Sequence, residues 1–266
     1  MLHRVFGFIE EYWSHLCANL GAVMLALAGV MMSADDHHRH DGKTWITFGI
    51  GAAVYTGGEI ARWKRARRIA ELESNVRDLE DSAQQASSDY SSLWEMQLST
   101  LLNDVLKLGD SERVSIYKHD GSSFVMLGRY SLSPALNRKG RGIYPDTQGV
   151  IAESWKTGEV SCTDIPDPGA NLAAYIVYSR DKWNIPEETT NSLTMLSRSI
   201  SAFPITDSTD SKRIAVIVFE STSPDGLNPD RIRASLKHGE AKRLTAFIER
   251  MRPQEPTPSS AWKVGY

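Results

Sequence analysis

The chain has 266 residues, of which 41% are hydrophobic and 24% are charged, and its net charge at pH 7 is -3. This length allows one sizeable folded domain and an accessory segment. The slightly acidic balance offers no basic face, so binding to nucleic acid is not expected. Cys17 lies in an apolar run and Cys162 in the predicted soluble domain. A disulfide framework is therefore not expected, and a reducing compartment suits the folded part.

Two apolar runs near the N-terminus predict a hairpin of membrane spans within residues 1–63. Residues 16–32 carry no charged side chain, and residues 44–63 carry charges only near their end. With flanking aromatic residues, the spans cover about residues 14–32 and 44–63, close to the length a bilayer requires. Basic residues crowd the exit of the second span, which predicts an inner-membrane protein with both termini in the cytoplasm.

Two alternatives concern this N-terminal part. Residues 26–28 (ALA) are similar to the cleavage site of a signal peptide, but Glu10 and Glu11 precede the run and a second span follows it. Three histidines and three aspartates between the spans, in residues 35–41, are of the types that bind a transition metal. A short solvated turn is the favoured interpretation, so no metal site is predicted.

Residues 64–89 predict a coiled-coil stalk. Apolar or small residues follow one another in alternating steps of three and four: Ile69, Leu72, Val76, Leu79, Ala83, Ala86 and Tyr90. Further along, the steps from Ala86 to Leu98 are all fours, which shifts the apolar stripe around the helix. We therefore expect residues 87–108 to pack on the folded domain, and also on a second copy through Leu98 and Leu101.

The region after the stalk predicts strands and helices in alternation. A hairpin is indicated around an Asp-Gly turn, because short β-like runs flank it. A short helix ends at Gly158, and a run that is apolar on both faces predicts a central strand. The predicted strands are 113–118, 124–130, 160–163, 199–205 and 213–221, and the predicted helices are 148–157 and 229–251.

Three stretches of this region are similar to the GAF family, the small sensor domains related to PAS. They are RVSIYKHDGSSFVMLGRYS, QGVIAESWKTGEVSCTDIPD, and the pair SISAFPI and RIAVIVFES followed by a long helix. The resemblance covers residues 90–252. It implies an α/β (α+β) fold with an antiparallel GAF/PAS-like sheet, and its implied function is sensing, by analogy.

The residues give no sign of catalysis, so we expect the protein not to be an enzyme, and no cofactor is identified. The signature of cyclic-nucleotide-binding GAF domains is not found. Cys162 is the only thiol of the folded region and is interpreted as a small buried hydrophobe. His119 and His238 lie far apart in the sequence and do not predict an acid/base pair.

The GAF resemblance places a ligand over one face of the sheet, beneath the loops of residues 131–183. Arginines and aromatic residues in that region suit an anionic molecule that contains a base. The predicted binding residues are Arg129, Arg141, Tyr144, Tyr175, Tyr178 and Arg180. In the alternative interpretation, the arginines are solvated loop residues and the aromatic residues belong to the core.

Three functions fit this sequence. The first is a membrane-anchored cytoplasmic sensor that binds a small molecule, with a nucleotide as one candidate, and forms a homodimer or a higher homo-oligomer. The second is a two-span effector that disrupts the membrane when a nucleotide second messenger binds, as in anti-phage defence. The third is a tether that binds a protein partner. No output module is recognised after Met251, and the proline-containing segment 253–266 predicts a flexible tail.

Overall fold

The structure is a computed structural model that describes residues 19–27, 29–30, 42–138 and 141–255. The chain divides into two compact units between Asp81 and Ser82. Cys17, the histidine-containing turn at 35–41 and residues 256–266 of the predicted tail lie outside the described residues. The first residues of that tail are described: Arg252–Gln254 form a 3-10 helix, and Glu255 pairs with Lys118.

The first unit is helical at residues 19–27 and 29–30, and helix α1 (Gly42–Ser99) begins in this unit. The two helical segments meet at glycines. A Cβ atom on Gly21 would lie 2.7 Å from the backbone nitrogen of Tyr55, and one on Gly51 would lie 3.2 Å from Met24 Cβ. Small residues therefore permit close packing at Gly21 and Gly51, whereas a Cβ atom on Gly49 or Gly57 would meet nothing within 4 Å.

In the part of the chain that the structure describes, no helix has both the length and the hydropathy of a membrane span. Both ends of the predicted first span, at 14–18 and 31–32, lie outside that part. The predicted second span and stalk belong to one continuous helix, α1. The membrane hairpin stays a prediction.

The predicted coiled-coil seam is exposed along the stalk part of α1. Its large members are 51–70% exposed: Ile69, Leu72, Val76 and Leu79. After Ala86, side chains of the helix become buried in the core of the second unit. Ser87, Tyr90 and Trp94 are at most 4% exposed. Beyond Ser99 the helix widens into a π-helical turn, Thr100–Val105, in which Leu101 and Leu102 remain buried.

The second unit is built on a six-stranded antiparallel sheet with strand order β3-β2-β1-β6-β5-β4. The strands are β1 (Glu112–His119), β2 (Ser123–Tyr130), β3 (Ile143–Pro145), β4 (Val160–Cys162), β5 (Ser199–Thr206) and β6 (Arg213–Ser221). The predicted hairpin is β1–β2, with Val114 opposite Tyr130. The run predicted to be central is β6, which lies between β1 and β5. The antiparallel α+β architecture is confirmed, whereas the short strand β3 was not predicted.

Helices cover both faces of the sheet. On the first face, the end of α1 and the C-terminal helices form a core with Trp94, Leu98, Ile217 and Phe219. On the second face, α2 (Gly149–Thr157) and α3 (Leu172–Trp183) pack on Tyr117, Met126 and Val218, and α4 (Glu187–Asn191) follows α3. Gly158 ends α2 with a positive φ of 106°, as predicted. The second face carries the candidate site.

The predicted single C-terminal helix is interrupted. It consists of α5 (Pro229–Ser235), a π-helical turn Leu236–Glu240, and α6 (Ala241–Met251). Gly239 has a φ of 132° within the turn, a conformation that side chains rarely adopt. The apolar residues on both sides nevertheless reach the same core, since Ile232 and Ile248 are both buried. The predicted apolar face is therefore confirmed, whereas the prediction of one continuous helix was wrong.

Candidate functional site

A cavity of about 100 Å³ lies between the second face of the sheet and helices α2 and α3. Its wall is mixed: apolar side chains such as Ile151, Val218 and Trp183 alternate with polar and charged groups. The charged members of the wall are three arginines and one carboxylate: Arg113, Arg129, Arg141 and Glu220. The cavity is the candidate binding site.

Strand alternation places the charged groups there. Successive side chains of a strand point to opposite faces, so Val114 and Ile116 enter the first core while Arg113 and Ser115 face the cavity side. Ser115 lies opposite Arg129 of β2, which therefore faces the same way. Arg113 likewise lies opposite Glu220 of β6.

Arg113 and Glu220 form a shielded ion pair. Arg113 Nη2 donates to Glu220 Oε2 over 2.7 Å, and its Nε donates to the same oxygen over 2.9 Å. Ser197 Oγ donates to Glu220 Oε1. Burial alone would raise the pKa of Glu220, but the charges of Arg113 and Arg129 outweigh it and lower that pKa. Glu220 is therefore ionised at neutral pH.

Arg129 is only 6% exposed, and its hydrogen-bond partners are uncharged. Its Nε donates to Ser115 Oγ over 3.0 Å, and Nη1 donates to the carbonyl oxygen of Arg138 over 3.0 Å. Its Nη2 donates to the hydroxyls of Tyr117 and Tyr144, over 3.2 and 3.5 Å. Burial lowers the pKa of Arg129, but Tyr117, Tyr144 and Glu220 raise it by more, so that the net shift is upward. The guanidinium therefore keeps its charge inside the fold.

Tyrosines complete the polar side of the wall. Burial raises the pKa of Tyr144 above its ordinary range and that of Tyr175 to about 12, so both are neutral at physiological pH. The guanidinium carbon of Arg141 lies 5.0 Å from the ring centre of Tyr144, a cation-π contact at the exposed side. The wall therefore holds two buried guanidinium groups, a third guanidinium group at its exposed edge, and a single carboxylate.

The structure brings five of the six predicted binding residues to this cavity: Arg129, Arg141, Tyr144, Tyr175 and Tyr178. Arg180 is not among the lining residues. Its side chain is 59% exposed and pairs with Asp181. The reason is helical periodicity, because Tyr175, Ser179 and Trp183 form the buried stripe of α3 and Arg180 falls outside it. The structure therefore does not bring Arg180 to the cavity.

Sequence reasoning missed Arg113, Tyr117 and Glu220, which line the same wall. The alternation of β1 contained a signal for the first two, since Val114 and Ile116 fix the apolar face of RVSIYK and leave the intervening residues on the other face. Glu220 follows the apolar run of β6 and looks like an exposed strand end. Only the pairing with β1 places it beside Arg113.

Cys162 is buried, as predicted, at 5% exposure. Its surroundings are more polar than expected: Lys182 Nζ donates to its Sγ over 3.1 Å, and the Tyr178 hydroxyl lies 2.7 Å away. The described residues contain no group of three histidine, cysteine or acidic side chains that is suited to a metal ion.

No family model matches the sequence, and neither does any curated protein. Solved structures similar to this chain include the GAF domain of a phosphoenolpyruvate-protein phosphotransferase from Acinetobacter, with 16% identity, 68% of this chain and 95% of that chain covered, and a TM-score of 0.41. The corresponding domain from Coxiella burnetii has 13% identity, coverages of 65% and 93%, and a TM-score of 0.42. A free methionine-R-sulfoxide reductase from Neisseria meningitidis, solved with its substrate, has 17% identity, coverages of 67% and 91%, and a TM-score of 0.41.

Proposed function

We propose that the protein is a membrane-anchored sensor of the GAF type, and not an enzyme, whose second unit binds a small molecule in the cavity. The observation that carries this proposal is the composition of the wall. Three arginines and one carboxylate line a partly open cavity of about 100 Å³. Buried charges are costly unless they are paired, so an arrangement with excess positive charge is better explained by ligand binding than by stability.

A route from the cavity to α1 supports a signalling role. Arg129 faces the cavity, and the preceding residue, Gly128, faces the other side of the sheet. A Cβ atom on Gly128 would lie 2.6 Å from Trp94 Cβ in α1. The ligand-facing residue and the helix contact are thus neighbours in β2. If a ligand displaces Arg129, the adjacent Gly128 moves with it, and this movement changes the packing of Trp94 directly.

The exposed seam supports a homodimer. Ile69 and Leu72 occupy core positions of the heptad pattern, and in a parallel, in-register pair Arg68 of one copy faces Glu73 of the other, an attractive contact. In the second unit, Leu98 and Leu101 are at most 1% exposed and belong to the intramolecular core. The expectation that these two leucines also face a second copy was wrong. Leu93 and Met96 of the same helix are exposed instead.

The apolar surface of the first unit supports membrane anchoring. Large apolar side chains of its helices are 38–64% exposed, and an exposed apolar surface of this extent is typical of an interaction with lipid or protein. They are Leu20, Val23, Leu27, Val30, Trp45, Ile46, Phe48, Ile50, Tyr55, Ile60 and Trp63. We place the protein in the inner membrane with both termini and the second unit in the cytoplasm, following the basic residues after the second apolar run.

The sensing proposal is tested by binding and hydrogen exchange on the purified full chain. A panel of nucleotides, amino acids and organic acids is screened for a rise in melting temperature, since a ligand at about 100 times its Kd stabilises the folded state by about 2.7 kcal/mol. A bound ligand should also change amide exchange in residues 87–99 of α1. Binding without any change in α1 contradicts the signalling role, and no binding at all favours the tether.

A further experiment tests the assembly. Leu72→Glu together with Leu79→Glu should reduce the mass measured by light scattering, whereas Gln84→Glu, an exposed change outside the seam, should not. An unchanged mass in the double variant contradicts dimerisation through this seam.

Membrane topology is tested with reporters. A reporter fused after Tyr266 should be active in the cytoplasm, and a tag within residues 36–41 should be accessible from outside. Recovery of the whole protein in the soluble fraction contradicts the anchor.

A further inference from the structure

The charged wall also indicates which ligand class the cavity takes. Building on the proposed sensory function, we propose that the ligand is a small monocarboxylate anion with a short apolar chain. Its carboxylate is bound at Arg129, and its chain lies against the apolar side of the cavity. This ligand is smaller than the base-containing anion expected from the sequence, and it is defined by charge and size together.

The charge argument rests on how the buried ions are paired. Glu220, the one carboxylate of the wall, is held by Arg113 through two hydrogen bonds and by Ser197 through a third. The hydrogen bonds of Arg129 all go to neutral oxygens. Its guanidinium is therefore buried with a positive charge and no direct counter-ion among the described residues. Four of its five N–H groups are used in these bonds, so one N–H of Nη1 remains to donate to a carboxylate oxygen, and a charged acceptor makes the stronger hydrogen bond there.

The tyrosines beside Arg129 favour the same ligand. The hydroxyl oxygens of Tyr117 and Tyr144 both accept hydrogen bonds from Arg129 Nη2, so their own protons remain to be donated. A hydroxyl proton can therefore be donated to the ligand. A carboxylate only accepts hydrogen bonds, so it fits a wall whose free polar groups are donors.

Size sets the length of the chain. The cavity of about 100 Å³ is smaller than the roughly 150 Å³ apolar cavity that accommodates benzene. Pockets for drug-sized ligands begin at about 300 Å³, and a mononucleotide belongs to that size range. Ile151, Met195 and Val218 provide an apolar wall away from the arginines. These limits describe an acid of about two to four carbon atoms, such as propionate.

The experiment compares an anion with its neutral isostere on the full chain. Sodium propionate is titrated calorimetrically, against propionamide and against sodium chloride at equal ionic strength. Propionate should bind and raise the melting temperature, whereas propionamide, which has nearly the same shape and no charge, should not. Equal binding of the acid and the amide overturns the inference.

Four variants locate the site. Arg129→Met should weaken propionate binding by about 10- to 100-fold, because hydrogen bonds to a charged group are lost. Glu220→Gln should tighten it, because the only carboxylate of the wall is removed. Arg141→Gln, at the exposed edge, should weaken it by a smaller factor and should be tolerated by the fold even if Arg129→Met is not. Arg180→Gln is the matched control and should leave the affinity unchanged.

The outcomes separate this inference from the proposed function. If the wider panel yields a ligand that changes exchange in α1 while propionate and its two-to-four-carbon homologues do not bind, the carboxylate inference fails and the sensor stands. If no compound binds, both fail. Two results would show that propionate binds with its carboxylate elsewhere and that the assignment to Arg129 is wrong. In the first, Glu220→Gln weakens propionate binding. In the second, Arg141→Gln and Arg180→Gln lower the affinity for propionate equally.

Discussion

Gly128 is the residue of β2 at which α1 lies closest to the sheet, so Gly128→Ala tests the contact directly. The new Cβ atom would lie 2.6 Å from Trp94 Cβ and 3.0 Å from Trp94 Cγ. Carbon atoms are in favourable contact at about 3.5–4.0 Å. Because a Cβ atom is fixed to the backbone, no rotamer change relieves the overlap, and the strand and the helix must move apart by about 1 Å.

That movement sets the magnitude. Overpacking of a core costs about 1–3 kcal/mol, and a gap of about 1 Å removes up to half of the dispersion energy of the contacts it opens. Replacing glycine by alanine also restricts the unfolded chain, which stabilises the folded state by about 0.4–1 kcal/mol. The net loss of unfolding free energy is about 2 kcal/mol. For a domain of this size it corresponds to a fall in melting temperature of about 4–8 °C.

Thermal and chemical unfolding of the purified protein measure this loss. Gly169→Ala is the matched control, because its nearest new contact is the end of the exposed Asp167 side chain at 3.2 Å and not a buried side chain of a helix. The control should stay within about 0.5 kcal/mol of the parent. If Gly128→Ala melts at the parent temperature or above it, the close approach of α1 to the sheet is refuted.

Three further substitutions give expected outcomes. Trp94→Ala removes a fully buried ring and should cost about 3–5 kcal/mol in chemical unfolding. Glu220→Gln should lower the free energy of unfolding by about 3 kcal/mol at pH 7 by leaving Arg113 unpaired. Folding lowers the pKa of Glu220, so the ionised carboxylate stabilises the fold above the ordinary carboxyl range, and this stabilisation is lost as the pH falls through the folded-state pKa. The stabilities of parent and variant should therefore converge in acid. Gly239→Ala should cost about 1–2 kcal/mol because of its φ of 132°; equal stability would contradict the interruption between α5 and α6.

Local patterns were sufficient for most of the fold. The Asp-Gly turn and the two runs beside it specified the β1–β2 hairpin, and Gly158 marked the end of α2. The break at Gly239 was missed because the apolar periodicity continues past the glycine, and periodicity does not register a single residue with positive φ. The short strand β3 pairs through only three residues, and so few give no recognisable alternation.

The candidate site was predictable to the extent that local sequence determines it. The arginine and tyrosine composition of residues 129–178 pointed to five of the residues that line the cavity, but Arg180 was included because that segment was read as a loop and not as a helix with a buried stripe. Arg113 and Glu220 are 107 residues apart in the sequence and become neighbours only through the β1–β6 register. Such register depends on the packing of the whole sheet, which one strand does not encode.

The alternation of β1 has a consequence for altering the protein's specificity. Val114 and Ile116 support α1 from one side of the sheet, while Arg113, Ser115 and Tyr117 are turned to the cavity side. The two sets interleave along a single strand but share no side chain. Side chains at the odd-numbered positions can therefore be changed to alter the cavity wall while those at the even-numbered positions keep their packing against α1.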